Sequence, residues 1–270
     1  MKLRTTIKSL SWLAGLAAVL LAPAAQARVI GVTGPNFFLD AKPDFISASD
    51  GISLYNWGYR VAGANNNMQF PGPTLIVTQG QTVTVTLTNQ LPTRTSIIFP
   101  GQSGVTATCD TIIHCVTSSA ARVATEVEVG GTVRYSFVAS NAGTYTYHSG
   151  TQMDVQVEMG LAGTLIVRPP TANQAYEHPD TAFTDGREYL LTLAEIDPVR
   201  HQKVHDQVKA LPVIPPLGWR VNTSTFGPYA PRYWFINGRT SPDTLAAAGA
   251  PALPNQPYNA LVQMHPGDNV

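Results

Sequence analysis

Charge is scarce in this sequence, and what there is cancels. Charged residues make up 13% of 270, with 17 Lys and Arg against 17 Asp and Glu. There is no basic block, so nothing draws the chain electrostatically to nucleic acid or acidic lipid. With so few charges the surface must rely on Ser, Thr, Asn and Gln. Sustained helical periodicity is also missing, since no segment keeps a convincing 3.6-residue pattern for longer than about two turns. Long apolar runs are missing after Leu10–Leu21, which leaves no membrane-spanning candidate beyond the N-terminus. Cysteine is nearly absent, with Cys109 and Cys115 alone.

What is present fits a turn-rich β protein. Gly 22 and Pro 21 are high for a helical chain. Met1 to Ala27 reads as a secretory leader. Lys2, Arg4 and Lys8 precede the apolar run, and Ala25-Gln26-Ala27 is a small-x-small cleavage site. An uncleaved anchor is the alternative. With cleavage the mature chain begins at Arg28 and is exported, periplasmic or secreted. In such a compartment the two cysteines most simply close a small loop disulfide. The competing reading makes Cys115, beside His114, a blue-copper thiolate, but no second His or Met follows within a short loop.

The chain is organised around Gly143 to Val167, GTYTYHSGTQMDVQVEMGLAGTLIV. Tyr145 and Tyr147 alternate with threonines as a strand, which stops at His148-Ser149-Gly150. A second strand follows at Thr164 to Val167. His148 with the sulfurs of Met153 and Met159 is the only dense set of possible copper ligands. Elsewhere, Ile52–Val61, Leu75–Val77, Ser96–Phe99 and Ala124–Val129 read as strands. So do Thr82–Asn89, with Val83, Val85 and Leu87 on one face, and Thr132–Ala139, with Val133, Tyr135 and Phe137 on one face. Arg28–Ser47 is weakly patterned, with one strand candidate near Val29–Val32, and Val105–Val116 reads as loop. About seven strands with regular turn signals predict a closed antiparallel Greek-key sandwich over Ile52–Val167.

Pro169-Pro170 and the polar run to Asp185 read as a linker. Beyond it, Glu188–Ile196, Tyr233–Asn237 and Ala260–Met264 read as strands, and Pro198–Ala210 as a short helix. His201 and His205, four apart on that helix, could share a face and hold a metal. Lys203 and Lys209 beside them favour a structural reading. Three strands cannot bury both faces of a sandwich. The expectation is therefore a piece of a longer protein, with residues 1–27 as leader, 28–169 as a first domain, 170–186 as linker and 187–270 as an incomplete second domain that packs on the remainder.

Several ordered motifs carry a family resemblance. Phe70-Pro71-Gly72-Pro73-Thr74-Leu75, Gly80-Gln81-Thr82-Val83-Thr84-Val85 and Thr88-Asn89-Gln90-Leu91-Pro92 resemble the first cupredoxin domain of multicopper oxidases. Gly143–Ser149 and Gly160–Val167 are similar to the end of that domain. Leu190–Pro198 with Phe235-Ile236-Asn237-Gly238 resembles the entry to the second. The resemblance implies an all-β cupredoxin fold, copper as cofactor, oxidoreductase chemistry on a small-molecule or metal-ion substrate, and a mononuclear copper site in a last domain beyond Val270. It also implies two His-x-His pairs in this half, as ligands of a trinuclear cluster. The first pair reads Ile98-Phe99-Pro100 here and the second His148-Ser149-Gly150. Aliphatic, proline and glycine residues cannot ligate, so His148 alone is left as a metal candidate. The alternative to an oxidoreductase is a non-catalytic cupredoxin scaffold, or a single-copper binding or electron-transfer protein.

Overall fold

The computed structural model describes residues 29–63, 67–111, 114–116 and 124–270. The leader expected at residues 1–27 lies outside them. Among the described residues no helix is long and apolar enough to cross a membrane.

Two sheets face each other. One has the order β1-β4-β11-β10, from Val32–Thr33 (β1), Leu75–Thr78 (β4), Ala162–Arg168 (β11) and Gly143–His148 (β10). The other has the order β3-β2-β5-β9-β6, from Ser53–Val61 (β3), Asn36–Ser47 (β2), Thr82–Asn89 (β5), Thr132–Val138 (β9) and Thr106–Cys109 (β6). The alternating residues do what their period requires. Val83, Val85 and Leu87 on β5 and Val133, Tyr135 and Phe137 on β9 are buried, while the intervening residues are not. Tyr147 joins the same core, and Tyr145 packs against it half-buried.

The sandwich is not purely antiparallel, as its alternation alone had implied. β1 runs parallel to β4, β4 to β11, and β2 to β5. The reason is connectivity: β2 and β5 are separated in the chain by β3 and β4, so their pairing needs a crossover and not a hairpin. β2 is also a twelve-residue strand where only a short one near Val29–Val32 was expected. Pro43 lies past Ala41, the end of the β2–β5 ladder, where β2 pairs with β3 alone. A proline without an N–H is tolerated there.

Val105–Val116 holds β6 and a two-residue strand, Cys115–Val116 (β7), which pairs with Glu126–Val127 (β8). Ser96–Phe99 makes one isolated bridge, at Ile98, and no strand. Cys109 and Cys115 are joined in a disulfide, their Cα atoms 6.1 Å apart. Neither sulfur is therefore a thiolate, and the blue-copper reading of Cys115 falls.

The later part of the chain is built onto this sandwich. Leu193–Ile196 (β12) and Tyr233–Ile236 (β13) form an antiparallel pair. Ile196 and Phe235 on its inner face pack with Ile46, Leu54, Met68 and Phe70. Pro198–Lys209 (α2) is a three-turn helix. It is capped by Asp197, whose carboxylate accepts from the N–H groups of Val199 and Arg200, and it starts with a proline at its first position. Val204 of α2, with Val221 and Phe226, enters the main core. Ala260–Met264, expected as a strand, is irregular: Ala260 donates one main-chain bond to Thr244 and no ladder forms.

Candidate metal site

β10 ends at His148, and the turn after it is closed by a single helical turn, Met153–Gln156 (α1). The segment after β5 runs alongside. Ile98 and His148 form an antiparallel bridge, with Ile98 N–H donating to the His148 carbonyl at 2.8 Å and His148 N–H to the Ile98 carbonyl at 3.2 Å. The structure thus brings together two of the four positions that the resemblance assigns to imidazoles. A histidine occupies one of them.

Gly150 lies against the same contact. A Cβ built on it would stand 2.7 Å from Ile98 Cγ2, 3.1 Å from Ala124 Cβ and 3.3 Å from Ser96 Oγ. Its main chain is not in the left-handed region, so space and not conformation is what a side chain would lack. Phe99, between the two positions of the first pair, is buried. Its ring lies in the core, 4.8 Å from Phe137 and 5.9 Å from Tyr135. Pro100 is exposed. Met159 is fully buried in the core and Met153 is exposed. Among the described residues no group of three or more His, Cys, Asp or Glu is arranged to hold a metal ion.

His148 Nδ1 lies 2.9 Å from the Ser149 carbonyl oxygen. A carbonyl only accepts, so Nδ1 carries the proton of a neutral ring and Nε2 carries the lone pair. Beneath the turn is a buried polar network that the sequence did not disclose. The Gln156 carbonyl accepts from Thr95 Oγ at 2.8 Å and Ser149 Oγ at 2.7 Å, and its amide donates to the Arg94 carbonyl at 2.6 Å. Ser96 Oγ meets Thr151 Oγ at 2.9 Å and accepts from Gly150 N–H at 3.1 Å. Hydroxyls and an amide, hydrogen-bonded to one another and to the main chain, hold the turn.

The other histidine pair is separated by its burial. His201 is buried against the main chain of β3, and His205 stacks on the Tyr55 ring with centroids 4.3 Å apart. They do not converge on a common point with a third ligand.

Residues 56–172 match the family model described as multicopper oxidase. An L-ascorbate oxidase of Cucurbita pepo var. melopepo is 33% identical over 191 residues, covering 67% of this chain and 28% of that protein. The chain belongs to the multicopper oxidase family. An iron transport multicopper oxidase of Saccharomyces cerevisiae is 35% identical over 132 residues, 45% of this chain and 19% of that one. The chain thus spans under a third of the length of these curated relatives. In fold it is similar to the blue copper oxidase of Nitrosomonas europaea, with a TM-score of 0.54 at 24% identity over 79% of this chain and 56% of that one. The two-sheet sandwich is accordingly an all-β cupredoxin fold. Multicopper oxidase membership implies copper as the cofactor. The residues at the positions that the resemblance assigns to imidazoles do not fit a copper pair: His148 is bridged to an isoleucine, and a side chain at position 150 would meet Ile98.

Proposed function

We propose that this chain is the N-terminal part of an exported multicopper oxidase-like oxidoreductase whose own half of the trinuclear cluster has been dismantled. Residues 28–169 are its first cupredoxin domain, 170–186 a linker and 187–270 the start of a second. The observation that carries the reading is the Ile98 methyl group standing where a side chain of residue 150 would begin. The cysteine disulfide supports export to an oxidising compartment, periplasmic or outside the cell. The substrate class is a small organic reductant or a metal ion, as the names of the relatives have it. Copper chemistry on such a substrate belongs to centres outside this chain.

A second reading has one observation in its favour. With Nδ1 held by the Ser149 carbonyl, His148 presents Nε2 as a lone pair, the arrangement in which a histidine binds a metal with its ring oriented from behind. A single copper held there would make the domain a storage or electron-transfer module. The 270-residue chain, loaded with copper under oxidising and reducing conditions and passed through gel filtration, is expected to retain at most one copper, lost on His148→Ala. Two or more per chain, lost on that substitution, would overturn the dismantled-site reading.

Packing against further β structure is the other part of the proposal. On the outer face of the β12–β13 pair, Leu193 is 75% and Trp234 65% exposed, with Leu191 and Ile236 beside them. A two-stranded sheet with an apolar open face marks an interaction surface. The chain expressed alone is expected to self-associate through it, and Leu193→Ser with Trp234→Ser to render it monomeric in sedimentation. A parent chain already monomeric at high concentration contradicts this.

A further inference from the structure

β3 is the outermost strand of its sheet, and an outer strand leaves a row of main-chain groups without ladder partners. The chain covers part of that row. Trp57 N–H donates to the Met159 carbonyl at 2.7 Å. The Tyr55 carbonyl oxygen lies 2.6 Å from His201 Nδ1 on α2. The other ring nitrogen, Nε2, lies 3.0 Å from the Glu158 carbonyl oxygen. His201 therefore touches a carbonyl at each nitrogen and is 1% exposed, so water cannot replace either partner.

Carbonyl oxygens only accept. A neutral imidazole has one N–H and one lone pair, so it could satisfy one of these carbonyls and would aim its lone pair at the other. Only the imidazolium donates to both. We infer that His201 is held as a buried imidazolium at neutral pH, a charged pin that fastens α2 and the segment around Glu158 to the open edge of β3.

The surroundings supply the counter-charge. The Glu158 carboxylate lies 3.7 Å from Nε2. The Asp197 carboxylate, at the start of α2, also favours the protonated ring. Burial holds the ring's pKa below the ordinary histidine value, against the two carbonyls and Asp197; set above that direction are the two acceptor carbonyls, which a buried neutral ring cannot both satisfy. Burial likewise pushes the Glu158 carboxyl up, against the bonds it accepts from Asp197 N–H at 2.8 Å and the Tyr229 hydroxyl at 3.0 Å. Arg200 pairs with Asp197 at 3.7 Å and lies over the Tyr229 ring. On the strand side the groups are Tyr55, whose hydroxyl accepts from the Trp57 indole, and His205 stacked upon it. A histidine whose folded pKa lies above its unfolded value of about 6.5 contributes its stability in full below that value. The contribution is lost as pH rises through the folded pKa.

The test is imidazole nitrogen–proton correlation spectroscopy of the nitrogen-15-labelled 270-residue chain as a function of pH, with His201 assigned by His201→Gln. The expected result is two protonated nitrogens at pH 7 and a midpoint at least about one unit above the ordinary histidine value. Glu158→Gln keeps the main-chain oxygen and removes the charge, and is expected to lower that midpoint by about one unit or more. It also identifies the ring by its shift if His201→Gln fails to fold. A ring at neutral pH with one bare nitrogen, or a midpoint unmoved by Glu158→Gln, would overturn the inference.

Discussion

Gly150→His, which supplies the imidazole that the resemblance assigns to this position, is expected to destabilise the protein by about 1–3 kcal/mol, the usual range for forcing atoms into a packed site. The new Cβ would meet Ile98 Cγ2 at 2.7 Å and Ala124 Cβ at 3.1 Å. Neither neighbour yields easily. Ile98 is β-branched and stiff at χ1, and its main chain is pinned on both sides by its bonds to His148. Ala124 has no rotamer to change. The backbone at Gly150 tolerates an L side chain, so the cost comes from packing alone. Truncating the obstacle separates this account from a backbone effect: in an Ile98→Ala background, Gly150→His is expected to cost at least about 1 kcal/mol less than in the parent, the size of coupling seen for residues in contact. Urea midpoints of the two single variants and the double variant measure it. Equal costs in both backgrounds would show that Ile98 does not fill the space. A stable Gly150→His protein that gains a copper would show that this position has room for a ligand beside His148.

Much of the fold was legible in the sequence, for a physical reason that also explains the gaps. β5 and β9 each bury one face and leave the other part-exposed, so their period of two is written in the residues, and Thr82–Asn89 matches residue for residue. β2 has no such signature. Asp40 and Ala41 are adjacent and both buried, Asp40 because it pairs with Arg60 at 2.8 Å. Pro43 then breaks the pattern where the strand has one neighbour only. β6 is an edge strand of small, mostly exposed residues, strand-like because β9 lies beside it and not from any pattern of its own. The parallel pairings depend on which strands meet across the sheet, and the residues of one strand do not record that.

The site divides in the same way. That positions 98, 100 and 150 carry no imidazole could be read directly. What surrounds them could not. Thr95 and Gln156 lie 61 residues apart in sequence, and Ile98 touches Gly150 only because the segment after β5 bridges the end of β10. The helical spacing of His201 and His205 pointed to a shared face, and packing against β3 and the segment around Glu158 gives His201 a carbonyl partner at each ring nitrogen.

The stretch from Arg239 to Tyr258 reads as loop and is irregular, yet one side chain holds it in place. Arg239→Ala is expected to lower stability by about 3–5 kcal/mol, because it leaves several buried carbonyls without donors at about 1–3 kcal/mol each, less whatever water regains. Arg239 is fully buried and has no carboxylate at hydrogen-bond distance. Nε donates to the Gln256 carbonyl at 2.8 Å, Nη1 to that of Ala246 at 2.7 Å, and Nη2 to that of Ala247 at 3.2 Å. Burial lowers its pKa and Asp243 opposes this. The planar fork is what lets one residue gather carbonyls from both ends of the loop. Gln256, fixed in this way, passes the order on: its amide donates to the carbonyls of Ser47 at 2.8 Å and Gly238 at 2.7 Å, and its own carbonyl accepts from Ser47 N–H at 2.9 Å. The end of β2 in the sandwich is thereby tied to the turn after β13. Arg239→Lys keeps the charge but replaces the fork with a point donor on a flexible stem, and is expected to recover less than half of the loss. Urea denaturation gives the cost. Limited proteolysis gives its location, with cleavage expected first between residues 240 and 257. A loss under about 1 kcal/mol for the alanine variant, or a lysine variant as stable as the parent, would show that the carbonyls find other donors and that the loop does not depend on the guanidinium.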